Sequence, residues 1–372
     1  MSGFDLLRLA PPHVRGFEPY TPAPPDNQLM RLHGLSRLYR LNNNENVLGP
    51  TPKARMALET FPASHIPIYP HGDCHDLRHA LADRFGLSAG QFLVGNGSCE
   101  VIASVIKSFC QPGDNIVTGD KTFAVYEWVA QFSGIEPRLV PLKDHGFDPE
   151  AMLAAMDGRT KVVFVCNPNN PTGSCWDTDT LETFLAQVAG RAMVVLDEAY
   201  FEYVERPGFP NGVEMLSRHP NLIVFRTFSK MYALAALRVG WLCASSEVTN
   251  LIRRTHVAYS VSSLAEAAAL ASLEDEAGLV AATRRMVAEG KAMLGGLCAE
   301  LGLETIVGEG NYLMLRTPLP DTLLHRKLLA RGFLVRAMTG FRYPGWIRAS
   351  ILEAPTMEAF GQALREVLAS HT

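Results

Sequence analysis

The sequence predicts an α/β fold in which helices cover a mainly parallel sheet of seven strands. Short continuous apolar runs recur along the middle of the chain, and such runs are typical of strands that are buried on both faces. Helical patterns, for example Phe123–Phe132 and Thr178–Val188, lie between many of them. The predicted strands are Gln91–Val94, Asn115–Thr118, Glu136–Val140, Lys161–Val165, Ala192–Leu196, Leu222–Phe225 and Val239–Cys243.

Length and composition limit the class of protein. A chain of 372 residues with 47% hydrophobic residues can form a large domain and a smaller one. The net charge of −4 and the pI near 6.3 argue against a nucleic-acid partner. No apolar run approaches the ~18–20 residues that a membrane span needs, and the start of the chain lacks the layout of a signal peptide. Seven scattered cysteines without a Cys-x-x-Cys pair favour a reducing cytoplasm.

The first 48 residues are predicted to form an N-terminal arm and part of a smaller domain. Residues 1–41 are rich in proline, so we expect them to be irregular and unable to build a core alone. An arm lying across a partner is favoured over a disordered tail because the segment carries aromatic and apolar side chains, namely Phe17, Tyr20, Leu29 and Leu32.

A large domain is predicted to span residues 49–262 and to begin with two helices. Thr51 is placed to cap the first helix, with Pro52 at the first helical position. Asp73 can cap the second, which runs to about Phe85. Histidines near this helix, including His75 and His79, lack the further ligands that zinc requires, so no metal site is predicted.

Polar clusters follow four of the predicted strands. Ligands of parallel sheets bind beyond the carboxyl ends of the strands, so we expect these clusters to form one site. The first is a glycine turn that leads into a helix from about Cys99 to Cys110, and its bare N–H groups can hold an anion. The clusters are Gly95–Ser98, Cys166–Gly173, Asp197–Tyr200 and the stretch from Arg226 that contains Lys230.

Lys230 is the candidate nucleophile. It lies where a buried strand emerges, and desolvation there disfavours the charged ammonium group. A lysine with a lowered pKa can act as a neutral nucleophile and form a Schiff base. Ser229 and Arg238 offer a hydroxyl group and a guanidinium to a phosphate.

Together the clusters meet the requirements of pyridoxal phosphate. Lys230 can bond its aldehyde, and Asp197 can keep its ring nitrogen protonated. Donors to its phenolic oxygen, an aromatic side chain to stack on its ring and a cradle for its phosphate are also needed. The candidates for these three tasks are, in turn, Asn170 and Tyr200; Phe123 or Tyr126; and Gly97, Ser98, Ser229 and Arg238.

Residues 263–372 are predicted to form linker helices and a small C-terminal α+β domain. Helical periodicity runs from about Ser263 to Leu301, and Gly278 and Gly290 are weak points that favour two or three helices. The elements expected after them are Glu304–Val307, Asn311–Leu315, Asp321–Arg331, Phe333–Arg336, Trp346–Ala349 and Pro355–Leu368.

The chain resembles fold-type I pyridoxal-phosphate aminotransferases, and most closely the histidinol-phosphate aminotransferase family. The likeness runs from about Pro12 to the last helix, and it implies a three-layer large domain like that of aspartate aminotransferase. The motifs that carry it are Asn44–Asn46 with Gly49-Pro50, Tyr69-Pro70, Gly95–Ser98, Asn167–Gly173, Asp197–Tyr200, Thr227–Lys230, Leu237–Gly240 and Trp346–Arg348.

This resemblance implies roles for individual residues. Lys230, Asp197 and Tyr200 would be catalytic, with Lys230 bound to the cofactor and moving the proton. Tyr69 would reach the phosphate held by the neighbouring subunit and make a homodimer with shared active sites obligatory. The cofactor would also contact Gly97, Ser98, Cys99, Phe123, Asn170, Ser229 and Arg238. The substrate would contact Arg348 and, on weaker grounds, Arg336, Tyr20, Asn46 and Tyr259.

The sequence departs from the family pattern at the phosphate cradle and beside Lys230. Cys99 stands where the family usually has an acidic residue, and Ala233 and Ala236 stand where it often has glycine. Cys99 can still donate its backbone N–H, so these changes bear on the substrate and not on the cofactor.

Three activities follow from the resemblance and one alternative does not involve catalysis. The first is transamination between histidinol phosphate and 2-oxoglutarate in histidine biosynthesis, and the second is transamination of aromatic amino acids. The third is decarboxylation of the threonine-phosphate type. A non-catalytic binding module is the alternative from another class, and the presence of Lys230, Asp197 and Arg238 argues against it.

Overall fold

A computed structural model describes residues 6–19, 21 and 23–370, and it contains two β-sheets surrounded by helices. Its strands, in chain order, are β1 (Tyr39–Leu41), β2 (Phe92–Gly95), β3 (Asn115–Gly119), β4 (Glu136–Val140), β5 (Thr160–Cys166), β6 (Met193–Asp197), β7 (Leu222–Thr227), β8 (Gly240–Cys243), β9 (Thr305–Ile306), β10 (Tyr312–Arg316), β11 (Phe333–Ala337) and β12 (Trp346–Ser350).

Fourteen α-helices are found in the described part of the chain, and none of them has the length and apolarity needed to cross a membrane. They are α1 (Pro12–Arg15), α2 (Asp26–His33), α3 (Pro52–Glu59), α4 (His75–Phe85), α5 (Gly97–Phe109), α6 (Val125–Phe132), α7 (Pro149–Ala154), α8 (Thr178–Val188), α9 (Gly212–Met215), α10 (Ser246–Arg253), α11 (Ser263–Glu274), α12 (Glu276–Glu300), α13 (Asp321–Leu329) and α14 (Ala354–Ala369).

The larger sheet has seven strands in the order β2-β8-β7-β6-β5-β3-β4. All neighbours are parallel except those of β8, which runs antiparallel to both β2 and β7. The central strands are buried along their length because helices cover both faces. The predicted mainly parallel seven-stranded sheet is therefore confirmed, and its parallel strands end at one edge.

The smaller sheet joins the two ends of the chain. Its order is β1-β11-β12-β10-β9, so a strand from the N-terminal segment pairs in parallel with β11 near the C-terminus. Strands β11 and β12 are antiparallel and place Arg336 directly opposite Arg348. The boundaries expected at 48/49 and 262/263 stay a prediction.

The N-terminal segment is more regular than its prolines suggested. The expectation that residues 1–41 are irregular is wrong for the described residues, because α1, α2 and β1 all lie there. Leu29 on α2 packs against Leu329 and Leu334 of the smaller unit, and this contact stabilises the helix. Gly34 ends α2 in the left-handed conformation that glycine adopts without strain.

The two predicted helix caps have different outcomes. Thr51 accepts a hydrogen bond from the N–H of Ala54, with Pro52 at the first helical position, so the cap of α3 is confirmed. The predicted cap of α4 is wrong: the residue at the cap position is Cys74, which makes no side-chain bond there. Asp73 instead forms an ion pair with Arg78, and its carboxylate lies 2.7 Å from Nδ1 of His71.

The linker helices break at Asp275 and not at a glycine. Gly278 and Gly290 both lie inside α12, so the prediction that they are the weak points is wrong. Packing explains Gly290, since a methyl group there would collide with the side chain of Ile351. The small residue allows α12 to lie against the strand-end segment of the smaller unit.

Glycines of α12 allow a matched test of this packing. Gly290→Ala should lower the free energy of unfolding by about 1–3 kcal/mol, because overpacking outweighs the helix propensity of alanine. Gly296→Ala, in the same helix with open space around it, should raise that free energy by about 0.5–1 kcal/mol. Urea unfolding of both variants measures the difference, and a shift of the same sign in both would contradict this account.

Candidate active site

A cavity of about 670 Å³ opens at the carboxyl ends of β5, β6 and β7. Both sheets contribute to its wall, since β11 and β12 supply one arginine each. The structure brings most of the predicted site residues to this one cavity: Ser98, Cys99, Phe123, Asn170, Asp197, Tyr200, Ser229, Lys230, Arg238, Arg336 and Arg348. The convergence of four strand-end clusters that the sequence indicated is confirmed.

Lys230 directly follows the β7 edge and its amine faces the cavity. Its Nζ donates a hydrogen bond of 2.8 Å to the backbone carbonyl of Asn43. Burial, with the positive charge of Arg348 nearby, lowers the pKa of Lys230 to about 8. About a tenth of the amine is therefore neutral, and able to act as a nucleophile, at pH 7.

Asp197 ends β6 and is buried beneath the cavity. Burial raises the pKa of this carboxyl, while the hydroxyl of Tyr126 and the N–H of Ala199 stabilise its ionised form. Tyr126 donates at 2.5 Å and is itself fully buried. It cannot stack on a cofactor ring, so that alternative for Tyr126 is wrong, and its role beneath Asp197 was not predicted.

Phe123 is the remaining candidate for stacking. It lines the cavity and meets Tyr126 edge-on, with ring centroids 5.6 Å apart. The loop before α6 thus directs Phe123 to the cavity and the first turn of α6 directs Tyr126 to the core. The separation of three residues places them at different depths of the same wall.

The start of α5 forms a cradle for an anion. No side chain caps this helix, which leaves the first N–H groups around Gly97, Ser98 and Cys99 open to a ligand. The guanidinium of Arg238 reaches so close to Gly97 that a methyl group on Gly97 would collide with it. Arg238 also donates to the hydroxyl of Ser229 at 3.4 Å, so three chain segments meet around one small volume.

Tyr200 and Asn170 lie on the side of the cavity that faces β12. The Tyr200 hydroxyl accepts a hydrogen bond of 2.8 Å from Asn44, and burial raises its pKa to about 12, so it remains a neutral donor. Asn170 contacts the guanidinium of Arg348 through its side-chain oxygen. Arg348 also donates to the carbonyl of Asn42 at 2.7 Å.

Three predicted residues lie away from the cavity. Tyr69 and Tyr259 are largely exposed and pack on each other, with ring centroids 5.5 Å apart. The amide of Asn46 is used within the chain, because it donates to Met231 and Thr283 and accepts from Leu48. The expected contact of Asn46 with a substrate is therefore not found. Tyr20 lies outside the described residues.

Comparison with known proteins identifies the family to which this arrangement belongs. The sequence model of the family of class I and II aminotransferases matches residues 37–365, nearly the whole of both units. The chain belongs to the class I and II aminotransferases. Such enzymes depend on pyridoxal phosphate, so this chain is a pyridoxal-phosphate-dependent transaminase, and the alternative of a non-catalytic binding module is wrong.

Individual relatives of this aminotransferase carry a more specific name. Histidinol-phosphate aminotransferase 2 of Pseudomonas aeruginosa is 42% identical, and the match covers 98% of this chain and 99% of the relative. The crystal structure of histidinol-phosphate aminotransferase from Sinorhizobium meliloti in complex with pyridoxal-5'-phosphate has a TM-score of 0.86 at 26% identity, covering 97% and 98% of the two chains. Aspartate aminotransferase from Thermus thermophilus shares the fold, with a TM-score of 0.80 at 21% identity over 92% and 94%.

The residues of this aminotransferase fit the cofactor of its family. Asp197 is a buried carboxyl that a protonated ring nitrogen would complement, and Lys230 is an amine of lowered pKa. The start of α5 with Arg238 provides the charge and the open N–H groups that a phosphate needs. Each requirement that pyridoxal phosphate places on a protein has a matching group in the cavity.

The lowered pKa of Lys230 predicts how this aminotransferase acquires its cofactor. Covalent labelling of Lys230 in cofactor-free protein by pyridoxal phosphate and borohydride should rise with pH, with a midpoint near pH 8. The neutral amine is the reactive form, and an ordinary lysine would give a midpoint at about pH 10.4. Peptide mass spectrometry separates Lys230 from surface lysines.

A matched variant checks the cause of this shift. Arg348→Met removes a positive charge that contributes to the lowered pKa, so the midpoint for Lys230 should move to higher pH. A wild-type midpoint above pH 10 would contradict the assignment.

Proposed function

We propose that this enzyme transfers the amino group of histidinol phosphate to 2-oxoglutarate. The observation that carries the proposal is the pair of arginines, Arg336 and Arg348, which lie opposite each other on β11 and β12 and both line the cavity that holds Lys230. Two guanidinium groups suit a phosphate as well as a carboxylate. One site can therefore accept both partners of a two-step exchange, and the names of the relatives support this choice of substrate.

Bound pyridoxal phosphate would supply a ring that withdraws electrons from the substrate α-carbon. Asp197 would hold the ring nitrogen in its protonated form, with Tyr126 fixing the carboxylate. Asn170 and Tyr200 would hold the phenolic oxygen, and Phe123 would pack on the ring. The phosphate would be held by an anion cradle that consists of Gly97, Ser98, Cys99, Ser229 and Arg238.

Lys230 would move the proton during the exchange. Its amine has a lowered pKa, so at physiological pH it could take a proton from the substrate α-carbon and deliver it to the aldehyde carbon of the cofactor. The carbonyl of Asn43, which accepts from Nζ, would orient the amine when it is free. Lys230 thus combines the binding of the cofactor with general acid–base catalysis.

Arg348 would bind the carboxylate of glutamate and 2-oxoglutarate. It is 4% exposed, and its Nε has no hydrogen-bond partner among the described residues. A buried guanidinium with an unused donor favours an anionic ligand, because an unsatisfied buried charge is costly. Arg336 is less buried and would bind the second anionic group of the substrate.

Steady-state turnover tests this function. Histidinol phosphate with 2-oxoglutarate should yield glutamate with a higher kcat/KM than phenylalanine with 2-oxoglutarate, measured by coupled oxidation of the glutamate formed. Lys230→Ala should lower kcat by at least about a thousandfold because the proton carrier is lost. Faster turnover of phenylalanine would favour the aromatic alternative. Carbon dioxide released without any oxo acid would favour a decarboxylase.

The proposed assembly is a homodimer with shared active sites. Tyr69 is 83% exposed and contacts the exposed Tyr259, and the two chain segments that carry these tyrosines have further exposed apolar side chains, Ile66, Ile68 and Val257. Exposed apolar side chains of this kind favour a protein–protein contact. Tyr69 would reach from this surface to the phosphate bound by the partner subunit. We place the enzyme in the cytoplasm, and its seven free cysteines support a reducing compartment.

Mixed dimers test the shared site. Tyr69→Ala and Lys230→Ala should each impair turnover, whereas a dimer containing one subunit of each kind should regain it. One of its two sites then has both an intact Lys230 and an intact Tyr69 from the other subunit. Co-expression with two different tags isolates that species. Activity no greater than the mean of the parent variants would contradict the sharing of Tyr69.

A further inference from the structure

A second cavity of about 860 Å³ lies beside the active-site cavity. Its wall is mainly apolar and includes Phe17 of the N-terminal segment, Trp128 and Phe132 of α6, and Leu329 of α13. We refer to it as the apolar chamber. The chamber shares three lining residues with the active-site cavity, namely Asn42, Arg336 and Phe341, so the two spaces adjoin at these residues.

Phe341 is the only one of these three whose side chain is apolar. Its ring lies 5.5 Å from the guanidinium carbon of Arg336 and 6.0 Å from that of Arg348, which places it next to both arginines proposed to bind substrate. Asn42 is fixed at its carbonyl by Arg348. Phe341 is therefore the side chain that a substrate with a large apolar group would meet on the chamber side.

The loop that carries Phe341 is held at both ends by one buried carboxylate. Asp321, which begins α13, accepts from the N–H and the hydroxyl of Thr339, both at 2.7 Å, and from the N–H of Gly345 at 3.3 Å. These bonds fix the residues on either side of Phe341. The loop is thus anchored to the start of α13 on both sides of Phe341.

Arg342 ties the same loop to the large sheet. Its guanidinium donates to Glu127 of α6 and to the carbonyl of Asp120, both at 2.9 Å. Its φ of 61° lies in the left-handed region, where a residue with a side chain is strained. Such strain is kept where surrounding contacts enforce it, and here the enforced feature is the position of Phe341.

We propose that Phe341 sets the size limit for the substrate side chain by closing the active-site cavity towards the apolar chamber. With the ring in place, the cavity admits compact polar substrates next to the two arginines and excludes a large aromatic group. Arg342 is a positioning residue that keeps the ring there. This inference rests on the proposed function for the identity of the cavity, but the selection by size concerns binding alone.

Ligand binding to the holoenzyme tests the inference without turnover. Isothermal titration calorimetry compares succinate, a compact dianion, with 3-(2-naphthyl)propionate, a carboxylate with a large aromatic group. Phe341→Ala should raise the affinity for the naphthyl ligand relative to succinate by about tenfold, the scale on which apolar pockets discriminate by size. Phe341→Leu keeps an apolar side chain of intermediate size and should give an intermediate ratio.

The contribution of Arg342 has its own variant and control. Arg342→Ala should shift the ratio in the same direction as Phe341→Ala, and by less, because the ring stays but loses its anchor. Arg316→Ala removes a more exposed ion pair, with Glu304, from β10 and should leave the ratio at the wild-type value.

The outcomes are distinguishable from those of the functional proposal. An unchanged ratio in both Phe341 variants, with the cofactor absorbance intact, would overturn the size limit whether or not histidinol phosphate is a substrate. A shift in Arg316→Ala as large as that in Arg342→Ala would overturn the role of Arg342. If the wild-type enzyme does not turn over histidinol phosphate but the binding ratios are as expected, the proposed function is rejected and the size limit stands.

Discussion

The desolvation of two ionisable groups at the carboxyl edge of the large sheet is the constraint on which the site depends. Asp197 and Lys230 lie there. Burial raises the pKa of Asp197 and lowers the pKa of Lys230, so it favours the neutral form of each. Buried polar groups need partners, and the chain supplies them through Tyr126 and the carbonyl of Asn43. A cofactor with a cationic ring nitrogen and an aldehyde complements the same two groups, which is why the family match and the geometry agree.

The segment that follows β1 connects this edge to the smaller sheet. Asn42, Asn43 and Asn44 bond Arg348, Lys230 and Tyr200 respectively, so consecutive residues contact both sheets. Asn44 has a left-handed backbone, which asparagine tolerates better than most residues. Because β1 pairs with β11, a displacement of the smaller unit would move these contacts as well. The site is therefore sensitive to how the two sheets are held together.

The sequence was most informative where the functional residues lie next to each other in the chain. Strand ends with Asp197, Lys230 or the Gly97 turn could be recognised because local apolar runs fix the strands and the residue after each run is then placed at the sheet edge. Asn46 was misassigned for the same reason: it shares a polar loop with Asn44, and only the fold directs it to Met231 instead. Gly290 was misread as a break because its close neighbour, Ile351, is distant in sequence.

The sequence alone determined the α/β class, the order of the elements and the residue types available for chemistry, since periodicity and composition are local properties. Only the tertiary structure decided that Tyr126 supports Asp197, that Asn44 bonds Tyr200 and that Phe341 lines two adjoining cavities. The first two contacts join residues 71 and 156 positions apart. Such contacts depend on how helices and sheets pack against each other, and no pattern within one chain segment specifies that packing.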